Sequence, residues 1–180
     1  RTNELMAHAY SNLYGTECVG LRFFTVYGPW GRPDMALFKF TKNILEDKEI
    51  DVYNNGNHSR DFTYVDDIVE GIYLSSISKK ELIDSNFDSK DPSRSFCKSI
   101  IFNLGRGKPE NLEDFIDEIE SNLGKRAKRN LMPLQPGDVP DTSADISGLK
   151  DFSGYEPKTS IKIGVKNFID WYKEYYKVNL

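Results

Sequence analysis

The stretch Cys18-Val19-Gly20-Leu21-Arg22-Phe23-Phe24-Thr25-Val26-Tyr27, stopped by Gly28-Pro29, decides the fold. An almost unbroken apolar run suits a strand covered on both faces, as in a parallel sheet layered between helices, better than a strand with one wet face. Upstream, Leu5, Ala9 and Leu13 recur every four residues with Met6 and Tyr10 beside them, and Gly15 follows as a stop, so residues 1–14 are expected to form a helix. Downstream, the turn-forming run Gly28-Pro29-Trp30-Gly31-Arg32-Pro33-Asp34 leads into a helix expected over about 34–47, then a short strand from Ile50 to Tyr53 and a turn at Asn54-Asn55-Gly56-Asn57. Arg60-Asp61-Phe62-Thr63-Tyr64-Val65 alternates polar and apolar residues, and Asp66-Asp67 then opens a helix carrying Ile68, Val69 and Ile72, with acids suitably placed at its N-terminus.

The alternation continues. Ser99 to Leu104 is a short apolar strand ended by Gly105. Leu112, Phe115, Ile116, Ile119 and Leu123 mark one face of a helix with Asn111 as its cap and Gly124 as its stop. A short strand is expected near Leu131 to Leu134, then a loop, Gln135-Pro136-Gly137-Asp138-Val139-Pro140-Asp141, and a last helix from about Ser160 bearing Val165, Phe168, Ile169, Tyr172 and Tyr176. Strands alternating with helices imply an α/β fold. Residues 79–97, rich in Lys, Asp and Ser, read as a surface loop and the best linker candidate.

The length of 180 residues suits one compact unit or one half of a larger enzyme. With 24 Lys+Arg against 28 Asp+Glu the net charge is −4, which disfavours a general nucleic-acid binder. No apolar run approaches the roughly 18–20 residues of a membrane span, and Arg1-Thr2-Asn3-Glu4 lacks a signal peptide's apolar region, so no membrane partner is expected. The two cysteines, Cys18 and Cys97, sit in unlike contexts; no disulfide framework or metal site is expected, and the reading is a reducing, cytoplasmic protein. The first residue is not Met and the chain opens inside a helix, so the beginning of a longer protein is expected to be absent.

Familiar catalytic arrangements are not apparent. The only histidines are His8, expected on a helix surface, and His58, expected to be solvated in an Asn-rich turn, and neither has a nucleophile signature nearby. No Cys or His pair has zinc-ligand spacing. Asn57-His58-Ser59 matches a glycosylation sequon that a cytoplasmic chain does not use. The acidic residues Asp66-Asp67 and Asp138 with Asp141 stand where caps and turns use aspartate anyway. Lys125, Arg126, Lys128 and Arg129 form one basic run, expected to be a solvated edge. Two arginines beside turn residues stand out: Arg32 in the Gly-Pro-Trp-Gly-Arg-Pro-Asp loop and Arg60 before Asp61-Phe62. A guanidinium fork matches a carboxylate or phosphate at two points, and loops at the C-terminal ends of parallel strands are where α/β sheets place ligands. An anionic ligand follows.

Taken together, Leu21-Arg22-Phe23-Phe24-Thr25-Val26-Tyr27-Gly28-Pro29, Gly31-Arg32-Pro33-Asp34-Met35-Ala36 and Arg60-Asp61-Phe62-Thr63-Tyr64-Val65-Asp66-Asp67 resemble the NAD-dependent epimerase/dehydratase family, the extended short-chain dehydrogenases. The Trp-Gly-Arg-Pro-Asp-Met loop is most like the UDP-glucuronate 4-epimerases, and the similarity runs on through Gln135-Pro136-Gly137-Asp138 to Trp171-Tyr172. Full-length members carry a glycine-rich turn for the NAD pyrophosphate and a catalytic Tyr-x-x-x-Lys pair. Neither occurs here, and the family's lysine would fall just before Arg1, so the resemblance implies a C-terminal half with no catalytic residue of its own, inactive alone.

In such enzymes the tyrosine takes a proton from the sugar's 4-hydroxyl, NAD accepts a hydride from carbon 4, and the rotated keto sugar takes it back on its other face. The resemblance places Phe23 and Phe24 beside the nicotinamide, Thr25 at the sugar, Arg32 at the glucuronate carboxylate, Tyr53 stacked on uracil and Arg60 at the diphosphate. It places Asp138 at the ribose hydroxyls or orienting Arg60. By themselves, Tyr53 reads equally as a packing residue and Phe23 and Phe24 as core. The implied architecture is the C-terminal part of a Rossmann-type parallel sheet, residues 1–27 and 66–105, plus a small mixed α/β sugar-nucleotide-binding domain, residues 28–65 and 106–180. The expected partner is a UDP-sugar destined for uronic-acid-containing polysaccharides, with homo-oligomers through a surface left exposed. A UDP-glucuronate decarboxylase, a nucleotide-sugar 4,6-dehydratase and a non-catalytic nucleotide-sugar-binding module are the alternatives.

Overall fold

The structure, a computed structural model, describes residues 1–82, 91 and 93–178. Its elements in chain order are α1 (Thr2–Tyr14), β1 (Cys18–Phe23), β2 (Thr25–Tyr27), α2 (Ala36–Leu45), β3 (Glu49–Val52), β4 (Ser59–Arg60), β5 (Phe62–Tyr64), α3 (Val65–Ile77), β6 (Ser99–Leu104), β7 (Glu110–Asn111), α4 (Leu112–Leu123), β8 (Lys128–Leu131), α5 (Ser147–Ser153) and α6 (Ile161–Tyr176). The expected α/β alternation is what forms.

The deciding stretch is two strands, not one. β1 pairs in parallel with β6, Cys18 opposite Ser99 through Phe23 opposite Leu104; after Phe24, β2 pairs in parallel with β5, Thr25 opposite Phe62. The exchange of partners is visible in two bonds: the Phe24 N–H donates to the Leu104 carbonyl at 3.0 Å and the Thr25 N–H to the Asp61 carbonyl at 3.2 Å. Nor is β1 covered on both faces, since Arg22 and Phe23 are exposed. β3 pairs in parallel with β8, and β4 pairs antiparallel with β7.

Two apolar clusters hold these pairs. The first joins Tyr27, Ile50, Val52 and Phe62 to one face each of α2, α4 and α6, including Phe38, Phe115, Ile119, Val165 and Phe168. Phe62 and Phe115 stack with ring centres 4.1 Å apart at its centre. The second gathers Ile68, Ile100, Phe102 and Leu104 with Leu149, Phe152 and Tyr155. The single core that the length suggests is therefore divided.

Several expectations shift. The strand near Leu131 to Leu134 is Lys128–Leu131, and Tyr53 begins a single helical turn, Tyr53–Gly56, after β3. Asn111 occupies the N-cap position of α4 without a side-chain capping bond, whereas the Ser160 hydroxyl of α6 accepts from the Ile163 N–H. Asp67, expected as a cap, instead accepts the N–H groups of Lys158 and Thr159 at 3.1 and 3.0 Å and ties α3 to the approach to α6. Of the expected 79–97 loop, residues 83–90 and 92 lie outside the described residues; Ser95 and Cys97 are buried, not on a surface. Cys18 and Cys97 are free thiols, and both donate to carbonyls of α1, from Ala7 and His8. The basic run pairs with protein acids: Arg126 with Glu120, and Arg129 with Glu113, Asp117 and Glu120.

Candidate functional site

Where β1 hands over to β2, the chain opens a cleft of about 730 Å³ lined by Phe23, Phe24, Thr25, Trp30, Arg32, Met35 and Thr142, among others. Four of the residues singled out from the sequence thus line one cleft, Arg32 from the loop that runs from Gly28 to Asp34. Gly28 has φ 145, and a Cβ there would stand 2.6 Å from the Val65 side chain, so only glycine lets the loop leave β2 at this angle. Trp30 follows with φ 61, a left-handed conformation that costs a bulky residue on the order of 1–2 kcal/mol. Its ring meets Trp171 and Tyr175 of α6, centres 5.3 and 5.0 Å away, which holds the loop in that shape.

Arg32 is exposed and its fork is engaged: Nε and Nη2 donate to the two oxygens of Asp34 at 3.0 and 2.5 Å. That hydrogen bond is the main cause that holds the Asp34 carboxyl below its ordinary range. The guanidinium at the cleft is thus already performing two-point carboxylate recognition on a neighbour.

Arg60, on β4, is mostly buried along the 138–142 segment. Its Nη2 donates to Asp138 Oδ1 at 3.0 Å, and its Nη1 to the carbonyls of Pro140 and Ser59 at 2.6 and 3.1 Å. Asp138 thus holds one edge of the Arg60 guanidinium. Thr142 connects this segment to the cleft: its N–H donates to the Ser59 carbonyl, its hydroxyl accepts from the Asp61 N–H, and it lines the wall. Tyr53 lies apart, half-buried at the head of its turn, and among the described contacts none joins it to Arg60 or to the cleft.

Directly after Arg60 stands a residue with many partners. Asp61 is fully buried. Its Oδ1 accepts from the Thr63 hydroxyl at 3.0 Å and the Arg106 N–H at 2.7 Å, and its Oδ2 from the N–H groups of Gly107 and Ala144 at 2.9 and 3.0 Å. One carboxylate thereby fastens the end of β6 and the 142–146 segment to the β4–β5 junction. Tyr155 closes the same corner by donating to the Gly105 carbonyl at 2.9 Å, and burial pushes its phenol far above the ordinary range. His58 is a correction: it is buried, with Nδ1 3.2 Å from the Pro140 carbonyl and Nε2 3.6 Å from Asp138 Oδ2. His8 is half-buried and bonded to the hydroxyl of buried Ser95 at 2.7 Å. Among the described residues no three His, Cys, Asp or Glu side chains gather as metal ligands, and no helix is long and apolar enough to cross a membrane.

Comparison with known proteins places this geometry. Residues 1–83 match the profile of the NAD dependent epimerase/dehydratase family. The chain is 54% identical to Protein CapI of Staphylococcus aureus over 98% of its own length and 53% of that protein's. It is 43% identical to UDP-glucuronate 4-epimerase 2 of Arabidopsis thaliana over 98% of its own length and 41% of that protein's. Its fold superposes with a TM-score of 0.82 and 32% identity on the UDP-glucuronic acid 4-epimerase of Bacillus cereus solved with UDP-glucuronic acid and NAD, covering 97% of this chain and 51% of that one. The chain spans about half the length of curated relatives that it matches. Over the part of that fold which it spans, the chain is similar to members of the NAD dependent epimerase/dehydratase family.

Proposed function

We propose that this chain forms the sugar-nucleotide side of an NAD-dependent UDP-glucuronate 4-epimerase, which interconverts UDP-glucuronate and UDP-galacturonate through a 4-keto sugar. The observation that carries the reading is the cleft itself: Phe23, Phe24, Thr25 and Arg32 line it together, and the Arg32 fork already grips a carboxylate. Conversion requires a glycine-rich dinucleotide turn and a Tyr-x-x-x-Lys pair, and neither occurs within these 180 residues. By themselves the 180 residues bind the nucleotide sugar and do not turn it over.

Each residue has a physical task. Arg32 exchanges Asp34 for the glucuronate carboxylate, which pins the sugar ring by its carbon-5 substituent. The Thr25 hydroxyl, at the start of β2, bonds a sugar hydroxyl. Phe23 and Phe24 supply an apolar wall of the kind a flat nicotinamide ring packs against, and this is the part of the cleft that fits the cofactor. NAD, when bound, supplies hydride acceptance and return at carbon 4 of the sugar. Arg60 pairs with the diphosphate, with Asp138 holding its plane, and Tyr53 stacks on the uracil, an interaction worth roughly 1 kcal/mol or more. The division we assign is residues 1–27 with 66–105 on the cofactor side and 28–65 with 106–180 on the sugar-nucleotide side, with segment 147–155 packed back onto the former.

Calorimetric titration of UDP, UDP-glucose and UDP-glucuronate into this chain tests the reading. The expected result is saturable binding that Arg60→Ala removes for all three ligands, and a preference for the glucuronate that Arg32→Ala removes. A folded chain that binds none of them, or that binds the two sugars alike with Arg32 intact, overturns it.

A further inference from the structure

We propose that His58 is a positioning residue for the phosphate-binding arginine, holding Asp138 and through it Arg60; this rests on the reading of Arg60 as the diphosphate ligand. Three observations carry it. The His58 side chain is only 5% exposed, yet its Nε2 has no hydrogen-bond partner among the described residues. Its Nδ1 lies 3.2 Å from the Pro140 carbonyl. A carbonyl only accepts, so Nδ1 carries a proton, and in the neutral ring Nε2 presents a lone pair. That lone pair faces Asp138 Oδ2 at 3.6 Å.

A buried lone pair aimed at a half-exposed carboxylate oxygen makes no bond, and a proton on Nε2 turns the same geometry into a charge-assisted one. The other carboxylate oxygen, Oδ1, accepts from Arg60 Nη2 at 3.0 Å, and the Pro140 carbonyl that faces His58 also accepts from Arg60 Nη1 at 2.6 Å. His58, Asp138, Arg60 and Pro140 therefore close a ring. The described bonds of Arg60 use three of the five N–H groups that a guanidinium carries, which leaves two for an anion. Protonated His58 adds a positive charge behind the site and completes the ring, so the arginine is held more firmly when an anion arrives. Other charges on the elements packed around His58 are Asp141, bridged to Ser59, Glu110 on β7, paired with Arg106, and Glu113 at the start of α4, paired with Arg129.

The test is the pH profile of UDP-glucose binding, measured by calorimetry between pH 5.5 and 8.5. The diphosphate diester of this ligand does not titrate in that range, whereas an imidazole ordinarily does. Affinity of the unaltered chain is expected to rise severalfold as the pH falls. His58→Gln, which keeps a polar group but cannot gain a proton, is expected to bind with that pH dependence removed, and His58→Ala to bind severalfold more weakly throughout. A His58→Gln chain with the original profile overturns the proposal while leaving Arg60 as the diphosphate ligand. If Arg60→Ala binds like the unaltered chain, the arginine reading fails instead. In that case the Arg60 Nε–H resonance decides: a shift on His58→Gln that is absent when Asp138→Asn is already in place supports the positioning role. A resonance that ignores His58 overturns it.

Discussion

Each oxygen of buried Asp61 accepts two hydrogen bonds, from the Thr63 hydroxyl and the Arg106 N–H on one side and from the Gly107 and Ala144 N–H groups on the other. Asp61→Asn preserves shape but removes the charge and puts an amide NH₂ in place of one acceptor; even turned toward the Thr63 hydroxyl, which can accept from it, that NH₂ faces the Arg106 N–H, so at least one bond becomes a clash of like groups. The expected loss is about 2–4 kcal/mol, because bonds to charged groups are the stronger ones and the orphaned donors stay buried. The urea midpoint should fall with little change in slope; an unchanged midpoint would refute this fastening role of Asp61. Tyr27 is the converse case. Its hydroxyl is buried without a partner among the described residues, so Tyr27→Phe should leave stability unchanged or raise it by up to about 1 kcal/mol, read from the same unfolding curves. At this scale the cleft was legible in part: Phe23, Phe24, Thr25 and Arg32 fall within ten residues, and a run that short stays together in space. Asp61 and His58 were not, since their partners lie about 40 to 85 residues away and nothing local distinguishes a buried polar residue from a turn residue.

Helix α6 packs on β2 so closely that a methyl at Gly164 would overlap the Tyr27 hydroxyl and approach its ring carbon Cζ to 2.7 Å. Alanine gains up to about 1 kcal/mol of helix propensity over glycine, whereas overpacking of a rigid ring costs about 1–3 kcal/mol, so Gly164→Ala should be net destabilising. Added to Tyr27→Phe, which removes the overlapping oxygen, it should cost less than it does alone, and a strictly additive double variant would refute the contact. At the end of α4, burial alone would raise the carboxyl of Glu120, but the Ala127 N–H and the guanidinium groups of Arg126 and Arg129 outweigh it and hold it below the usual carboxylate range. A carboxyl lowered on folding stabilises the protein above its unfolded pKa, and that contribution is lost as the pH falls through the folded value. Unaltered protein should therefore exceed Glu120→Gln in stability by on the order of 1 kcal/mol at pH 7, and the two should converge on acidification toward pH 3. The five longer helices were readable because each shows an apolar periodicity or a stop. The seven-residue α5 has a stop at Gly154 but, with Gly148 inside its first turn, is too short for a periodic apolar face, and the exchange of strand partners at Phe24 is imposed by bonds donated to Leu104 and Asp61 that no local pattern encodes.

On the scale of the whole molecule, the two cores meet at the Asp61–Tyr155 corner, and the cleft opens where β1 passes from one to the other. The length argued for one core; what divides it is connectivity, since α5 returns to the β6 side after the chain has already built α4 and β8. The same connectivity leaves apolar residues outside. The periodic residues that identified α1, Leu5 and Leu13, are 72% and 70% exposed, and Val69, Tyr73 and Ile77 of α3 are exposed as well. A helix normally buries its apolar stripe, and large apolar surface left in water favours association. In light scattering, the apparent mass of this chain should therefore rise with concentration. Leu5→Lys with Leu13→Lys should lower that rise without shifting the unfolding midpoint at low concentration, because neither side chain has burial to lose in the single chain. A mass that stays monomeric across the whole range, before and after the substitutions, would mean that these faces do not drive self-association.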